Sequence, residues 1–267
     1  MKRQAGDRVV PFTSNRRLVA ASAAVARERN TVHGMYEVDV TEPRRLLREH
    51  REQTGEVLSF TAFVVACLAR AIAENPNLNA VRRRRKVFLL ADVTVGTLVE
   101  RAAGGETVPE LLPIHRAQDK AFRQIHDEIR AAQQRPGGSP AGSSTTNRLT
   151  RFVPSFLLRA AVRAATRSIA KARQSGVVTV TAVGMYGRGP GWGVPLSVWT
   201  VAVTVGGIGR RPVLHEGSLE TREYLCLTTS FDHDIVDGAP AVRFMSRFAA
   251  LLRSGDLLRD GLSAEVE

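Results

Sequence analysis

Lysine is almost missing from this chain. Of 38 basic residues only Lys2, Lys86, Lys120 and Lys171 are lysine, and the arginines that make up the rest run from end to end, leaving a formal net charge of +12. A charge of that size suggests nucleic acid. Aromatic residues are scarce too, at 6%, and no stretch interleaves them with basic residues, so the stacking platform for single strands is missing and nucleic acid is disfavoured. A basic surface serves a phosphorylated cofactor or an acidic protein partner equally well. The two cysteines, Cys67 in SFTAFVVACLARAIA and Cys226 in EYLCLTTSF, read as buried thiols of a reducing compartment. The N-terminal MKRQAGDRVVPFTSNRR lacks the apolar centre of a signal peptide, and no uncharged run is long enough to span a membrane. The expected location is the cytoplasm.

Several chemistries are absent as well. Histidines stand at 33, 50, 115, 126, 215 and 233, with no HExxH or other zinc-like spacing, so no metal is expected. There is no Walker loop and no GxSxG elbow, and GRGPGWG at 187–193 lacks the strand and helix that would frame a dinucleotide site.

What remains is an ordinary globular composition, 43% hydrophobic and 24% charged over 267 residues, long enough to bury a full core. Helices are predicted from Asn15 to Arg29 with Thr13 or Ser14 as cap, from Thr41 through TEPRRLLREHREQ with Thr41 as cap, and from Ser59 to Glu74 ended by Asn75-Pro76. The third is apolar nearly all round and therefore central. MYEVDV alternates as a half-buried strand, and KVFLLADVTVGTLV reads as one or two strands. Residues 114–134 return to helical periodicity, and RPGGSPAGSSTTN at 135–147 reads as a flexible loop. A helix over 151–173 sets Arg159, Arg163, Arg167 and Lys171 four apart, a cationic stripe that reads as a solvated face or as a docking face for an anionic membrane or acidic partner. Strands follow at VVTVTAVGMY, LSVWTVAVTVGGI, RPVLHEG and REYLCLTTSF, then a closing helix from Ala239 to Arg253. Tails are expected at 1–9 and 259–267. The sum is an α+β fold, a two-layer sandwich of one large mixed sheet and packed helices, expected to form a single domain over 1–267.

The segment SFDHDIVDGA at 230–239 places a histidine where an apolar strand ends and a helix begins, flanked by acids. A histidine base there makes chemical sense, because its ordinary pKa of about 6.5 lets it take a proton from a thiol or hydroxyl near neutrality. DHDIVDGAPAVRF resembles the HxxxDG signature of the catalytic domain of the acyltransferase (dihydrolipoamide acyltransferase) component of 2-oxo acid dehydrogenase complexes, whose fold is chloramphenicol acetyltransferase-like. VVTVTAVGMYG, VAVTVGGIGRRPV, SFTAFVVACLARAIAENPNLNA and NRRLVAASAAVARERNTVHGMYEVDVT resemble further segments of that domain in the same order. The likeness covers about Val10 to Leu258.

The resemblance implies a coenzyme A-dependent acyltransferase working by direct attack in a ternary complex, with coenzyme A or its acyl thioester as substrate. His233 would be the general base, and Thr181 would donate a hydrogen bond to the oxyanion. Asp237 would hold the histidine loop by pairing with an arginine, for which Arg16 is the candidate, and Gly238 would fit a turn that a side chain disturbs. The family's homotrimer would put His233 and Thr181 of different chains in one site. Family sequences usually read DHR where this chain reads DHD, so Asp234 brings a negative charge beside the base and, if it faces the site, should raise the histidine pKa. The family's serine-asparagine pair is here Thr181-Ala182. No lipoyl domain or its modified lysine is recognisable, which implies a stand-alone variant that takes its acceptor from an external lipoyl or carrier protein or from solution. The competing reading is a non-catalytic scaffold that docks to a dehydrogenase complex or a membrane through its basic helix.

Overall fold

Ten residues of one helix are buried, and the rest of the fold is arranged round them. That helix, α3 (Phe60–Ala73), buries Ala62 through Ala69, Ala71 and Ile72. Its start is capped by Ser59, whose hydroxyl accepts from the Ala62 N–H, and it ends where Asn75 and Pro76 open a short turn of 3₁₀ helix. The structure, a computed structural model, describes residues 8–103, 106–135, 153–184 and 187–263.

Before α3 come α1 (Ser14–Ala26), β1 (Thr31–Asp39) and α2 (Thr41–Thr54). After it come the hairpin β2 (Ala80–Arg83) and β3 (Lys86–Leu89), then β4 (Val95–Ala103), β5 (Glu106–Ile114) and α4 (Phe122–Gln134). The second half holds α5 (Ser155–Thr166), α6 (Ile169–Ser175), β6 (Val178–Ala182), β7 (Val201–His215), β8 (Ser218–Asp232), α7 (Gly238–Ser254) and α8 (Asp256–Ser263). Six strands form one sheet in the order β1-β8-β7-β6-β4-β5, parallel at β4–β6 and β6–β7 and antiparallel elsewhere. β2 and β3 form a separate hairpin. The expected α+β sandwich with a large mixed sheet is what the chain adopts.

Alternation along the strands gives the sheet two unlike faces. Val178, Val180, Val201, Val203, Leu225, Leu227 and Phe231 share one face and belong to the core. α3 and α7 close that face, with Phe244 edge-on to Phe231 and stacked on Phe248. The other face carries Thr179, Thr181, Thr204, Thr228, Ser230 and His33.

Several expectations need correction. β5 falls partly in a segment read as helical or left unassigned; its sequence ETVPELLPI contains two prolines, which a strand tolerates only at an edge, and β5 is the outermost strand. RPVLH is not a strand of its own. It continues β7, which passes through an irregularity at Gly206-Gly207 and runs on beside β8 to His215. Thr41 is the first residue of α2 rather than its cap: its N–H and hydroxyl both donate to Asp39 Oδ1, at 3.0 and 2.6 Å.

The predicted basic helix of 151–173 is two helices. Arg167 leaves the helical region at φ −103°, ψ 1°, and the Ser168 hydroxyl caps α6. The cationic stripe therefore bends at its third member. The expected tail from 259 is helical as far as Ser263. The loop at 135–147 lies outside the described residues except for Arg135, and so do residues 1–7 of the N-terminal tail. Among the described residues no helix is long and apolar enough to cross a membrane.

Candidate active site

β8 ends at Asp232, and the chain turns there through His233–Asp237 into α7. The turn is tied from both sides. Its backbone closes on itself, with the Ile235 and Val236 N–H groups both donating to the Asp232 carbonyl at 3.0 Å, and the His233 N–H donates to the Asn30 carbonyl at 2.8 Å. Asp232, a nearly buried carboxylate, accepts from Arg29 at 2.5 Å and from the Asp234 N–H at 3.2 Å. Asp234 accepts from Asn30 Nδ2 at 2.9 Å and from Arg82.

On this fixed turn the His233 side chain stands 45% exposed, with Nδ1 4.0 Å from Asp237 Oδ1. The histidine is thus presented outward with one carboxylate near Nδ1. A shortening of that contact would set the tautomer in which Nε2 is the base.

The loop-holding role expected of Asp237 and Arg16 falls to other residues within the chain. Arg16 is exposed on α1, where its N–H reaches Thr13; among the described residues no contact joins it to Asp237, which is itself 86% exposed. Arg29 with Asp232 and Arg82 with Asp234 anchor the turn instead. Both acids adjoin His233 in sequence, but Arg29 and Arg82 come from distant segments, so sequence spacing could not pair them. Asp234 is engaged by Arg82 and Asn30 rather than by the histidine. Gly238 is the first residue of α7, and a Cβ there would meet nothing within 4 Å. Inside one chain its lack of a side chain is not a steric requirement.

Thr181, half-buried, lies on the sheet face away from α3 and α7, in register with Thr204 and Thr228 across β6, β7 and β8. Thr204 and Thr228 are buried, and among the described residues their hydroxyls have no hydrogen-bond partner. This row of three hydroxyls was only partly visible in sequence: VTVTA marks Thr181, but the register that aligns it with Thr204 and Thr228 is a property of the sheet. The row is overlain by residues 189–193 in glycine-to-glycine contact with β7. A Cβ on Gly206 would stand 2.1 Å from the Gly191 carbonyl oxygen and 2.9 Å from that of Cys226. Gly206→Ala should accordingly destabilise the fold by about 2–3 kcal/mol, as overpacking against backbone does. Urea unfolding checks this, and a loss below about 0.5 kcal/mol would mean the overlay yields.

Thr181 and His233 are not neighbours within a chain. Thr181 is two strands from β8 and aligned with Thr228, four residues before Asp232, which at strand spacings separates them by well over about 10 Å. Three other histidines, His126, His33 and His50, have structural partners. His126 Nδ1 accepts from the Ser59 N–H at 3.0 Å, and burial holds its pKa below the ordinary value. His33 meets Ser230 at 2.8 Å and His50 meets Glu56 at 3.0 Å. Among the described residues no group of three or more His, Cys, Asp or Glu could hold a metal ion.

Comparison with known proteins places this arrangement. The lipoamide acyltransferase component of the branched-chain alpha-keto acid dehydrogenase complex of Bacillus subtilis is 26% identical over 94% of this chain and 54% of its own length. The chain spans about half or less of the curated relatives it matches. A probable dihydrolipoamide acetyltransferase from Listeria monocytogenes has the same fold, at a TM-score of 0.69 and 23% identity over 94% of this chain and 96% of that one. So does the dihydrolipoamide acetyltransferase of Azotobacter vinelandii, at 0.68 and 19% over 94% of each chain, a structure concerned with the role of a serine, a histidine and an asparagine in its catalytic mechanism. The model of the 2-oxoacid dehydrogenases acyltransferase (catalytic domain) family matches residues 4–138 and 157–258, and the chain belongs to that family.

Proposed function

We propose that this chain moves an acyl group between the thioester of coenzyme A and a thiol, hydroxyl or amine acceptor, by direct attack and without an acyl-enzyme. The observation that carries the reading is the outward-facing His233 on its anchored turn, with Asp237 four residues on. The serine, histidine and asparagine named for the Azotobacter vinelandii enzyme are separated by 52 and 4 residues. Thr181, His233 and Asp237 have the same two separations.

In this mechanism Nε2 of His233 takes the proton from the acceptor as its heteroatom attacks the thioester carbonyl. The Thr181 hydroxyl donates to the oxyanion that forms, and the proton returns to the leaving thiolate as the tetrahedral intermediate collapses. Asp237 steadies the imidazolium. Because Thr181 and His233 of one chain stand far apart, the working site joins His233 of one copy to Thr181 of another, as a homotrimer of the family's kind would do. An external lipoyl or carrier protein is the proposed bearer of the acceptor thiol.

The test is release of free thiol from acetyl-, propionyl- and branched-chain acyl-coenzyme A with dihydrolipoamide and other small acceptors. Acceptor-dependent release is expected. Chains carrying His233→Ala and chains carrying Thr181→Ala should each be inactive alone, yet a one-to-one mixture reassembled from subunits should regain about one quarter of full activity, the share of intact sites in random trimers. No release with any acceptor from an assembled protein would overturn the assignment, and a mixture that stays inactive would overturn the shared site.

A further inference from the structure

A cleft of about 860 Å³ opens on the other side of the His233 turn, between the end of α1, the β2–β3 hairpin and the bend from α5 to α6. Its volume is that of a small-molecule site. Among the described residues three carboxylates line it, and each already has an arginine: Asp232 with Arg29, Asp234 with Arg82, Glu28 with Arg163. Four further cations line it beyond those pairs, namely Arg83, Arg84, Arg167 and Lys171. The cleft therefore carries a surplus of about four positive charges inside a concave wall, where their fields add rather than disperse.

The hairpin that supplies two of them is unusual in a second respect. Arg82 through Lys86 are five consecutive basic residues, and Arg84 sits in the left-handed region at φ 55°. That conformation is the usual province of glycine or asparagine at a hairpin turn and is strained for an arginine. Mutual repulsion of the five charges adds to the cost. Among the described residues no acidic group partners Arg83 or Arg84. Arg82 of this turn is paired with Asp234, but a strained, self-repelling turn whose other charges line a cationic cleft would be stabilised by a bound anion.

We propose that this cleft binds a small ligand bearing two or more phosphate groups, held by Arg83, Arg84, Arg167 and Lys171. Guanidinium forks suit phosphate oxygens, and the four cations match the charge of a diphosphate or a bisphosphate. The site is separate from the imidazole of His233, and its existence does not depend on the acyl-transfer reading. The phosphates belong either to the acyl donor itself or to an independent phosphorylated ligand.

Calorimetric titration of the full chain with inorganic pyrophosphate tests the proposal. Saturable binding of one equivalent per chain is expected, weakened by added salt. Arg83→Ala combined with Arg84→Asn, which keeps a residue at home in the left-handed turn, should weaken it at least about tenfold. Arg51→Ala combined with Arg253→Ala, which removes two charges away from the cleft, should leave it unchanged. Displacement of pyrophosphate by coenzyme A identifies the phosphates as the donor's. Failure to displace identifies a separate ligand, and the site stands in either case. Absence of saturable binding, equal weakening in both double variants, or tight binding of an oligonucleotide that pyrophosphate cannot displace would each overturn it.

Discussion

Replacing His233 by alanine is expected to lower kcat for acyl transfer by about 10²–10⁴-fold, the range a positioned general base contributes. The fold should not notice. The side chain is nearly half exposed and its near neighbour, Asp237 Oδ1, is at 4.0 Å, while the ties that hold the turn run through the His233 backbone and through Asp232 and Asp234. Unchanged thermal unfolding alongside the lost turnover would isolate the effect in the chemistry. Steady-state kinetics with a fixed acyl donor and varied acceptor make the measurement. Turnover retained to within about tenfold would remove His233 from the role of base, because no other described histidine stands on that turn.

The second large effect is expected at a residue with no direct chemical role. Asp232 is the carboxylate on which the turn depends: it binds Arg29 at 2.5 Å with both groups largely withdrawn from water, and it caps the turn through the Asp234 N–H. Asp232→Ala leaves the Arg29 guanidinium without its partner in a half-enclosed place and removes the cap. A loss of about 3 kcal/mol follows from breaking such a pair by deleting one member, which for a chain of this size lowers Tm by roughly 6–12 °C. Asp232→Asn separates the two contributions. Its amide oxygen still accepts from the Asp234 N–H, so the turn keeps its shape while the charge pair is lost. The alanine variant should therefore lose kcat with KM little changed, and the asparagine variant should lose mainly stability. Equal kcat losses in both, at equal stability, would show that Asp232 does not position the histidine.

Much of this could be read from the sequence, and the reasons for the rest are specific. Helices α1 and α3 announce themselves by a cap and an apolar run, because both signals are local. The turn after β8 was legible for the same reason: a strand, a histidine, an Asp-Gly pair and a helix follow one another within ten residues. β5 was hidden because an edge strand tolerates Pro109 and Pro113, which a central strand would reject. The break between α5 and α6 was hidden because Ser168 caps as readily as it sits within a helix. What fixes the site geometry is mostly long-range. The pairs Arg29–Asp232 and Arg82–Asp234, and the alignment of Thr181 with Thr204 and Thr228, exist only once strands from different parts of the chain lie side by side. A pattern of residues points to Arg16 as the arginine that holds the loop, and only the fold brings Arg29 and Arg82 to it.

The pairing of β1 with β8 has a consequence for how this protein comes into being. Arg29 and Asp232 are 203 residues apart, yet they close the same corner of the sheet. At synthesis rates of roughly 5–20 residues per second, β1 leaves the ribosome about 10–40 s before the strand that completes it. Until then its hydrogen-bonding edge is open to any other nascent chain. The earliest-made strand is thus the last to be secured, and the histidine turn is assembled in the same closing step.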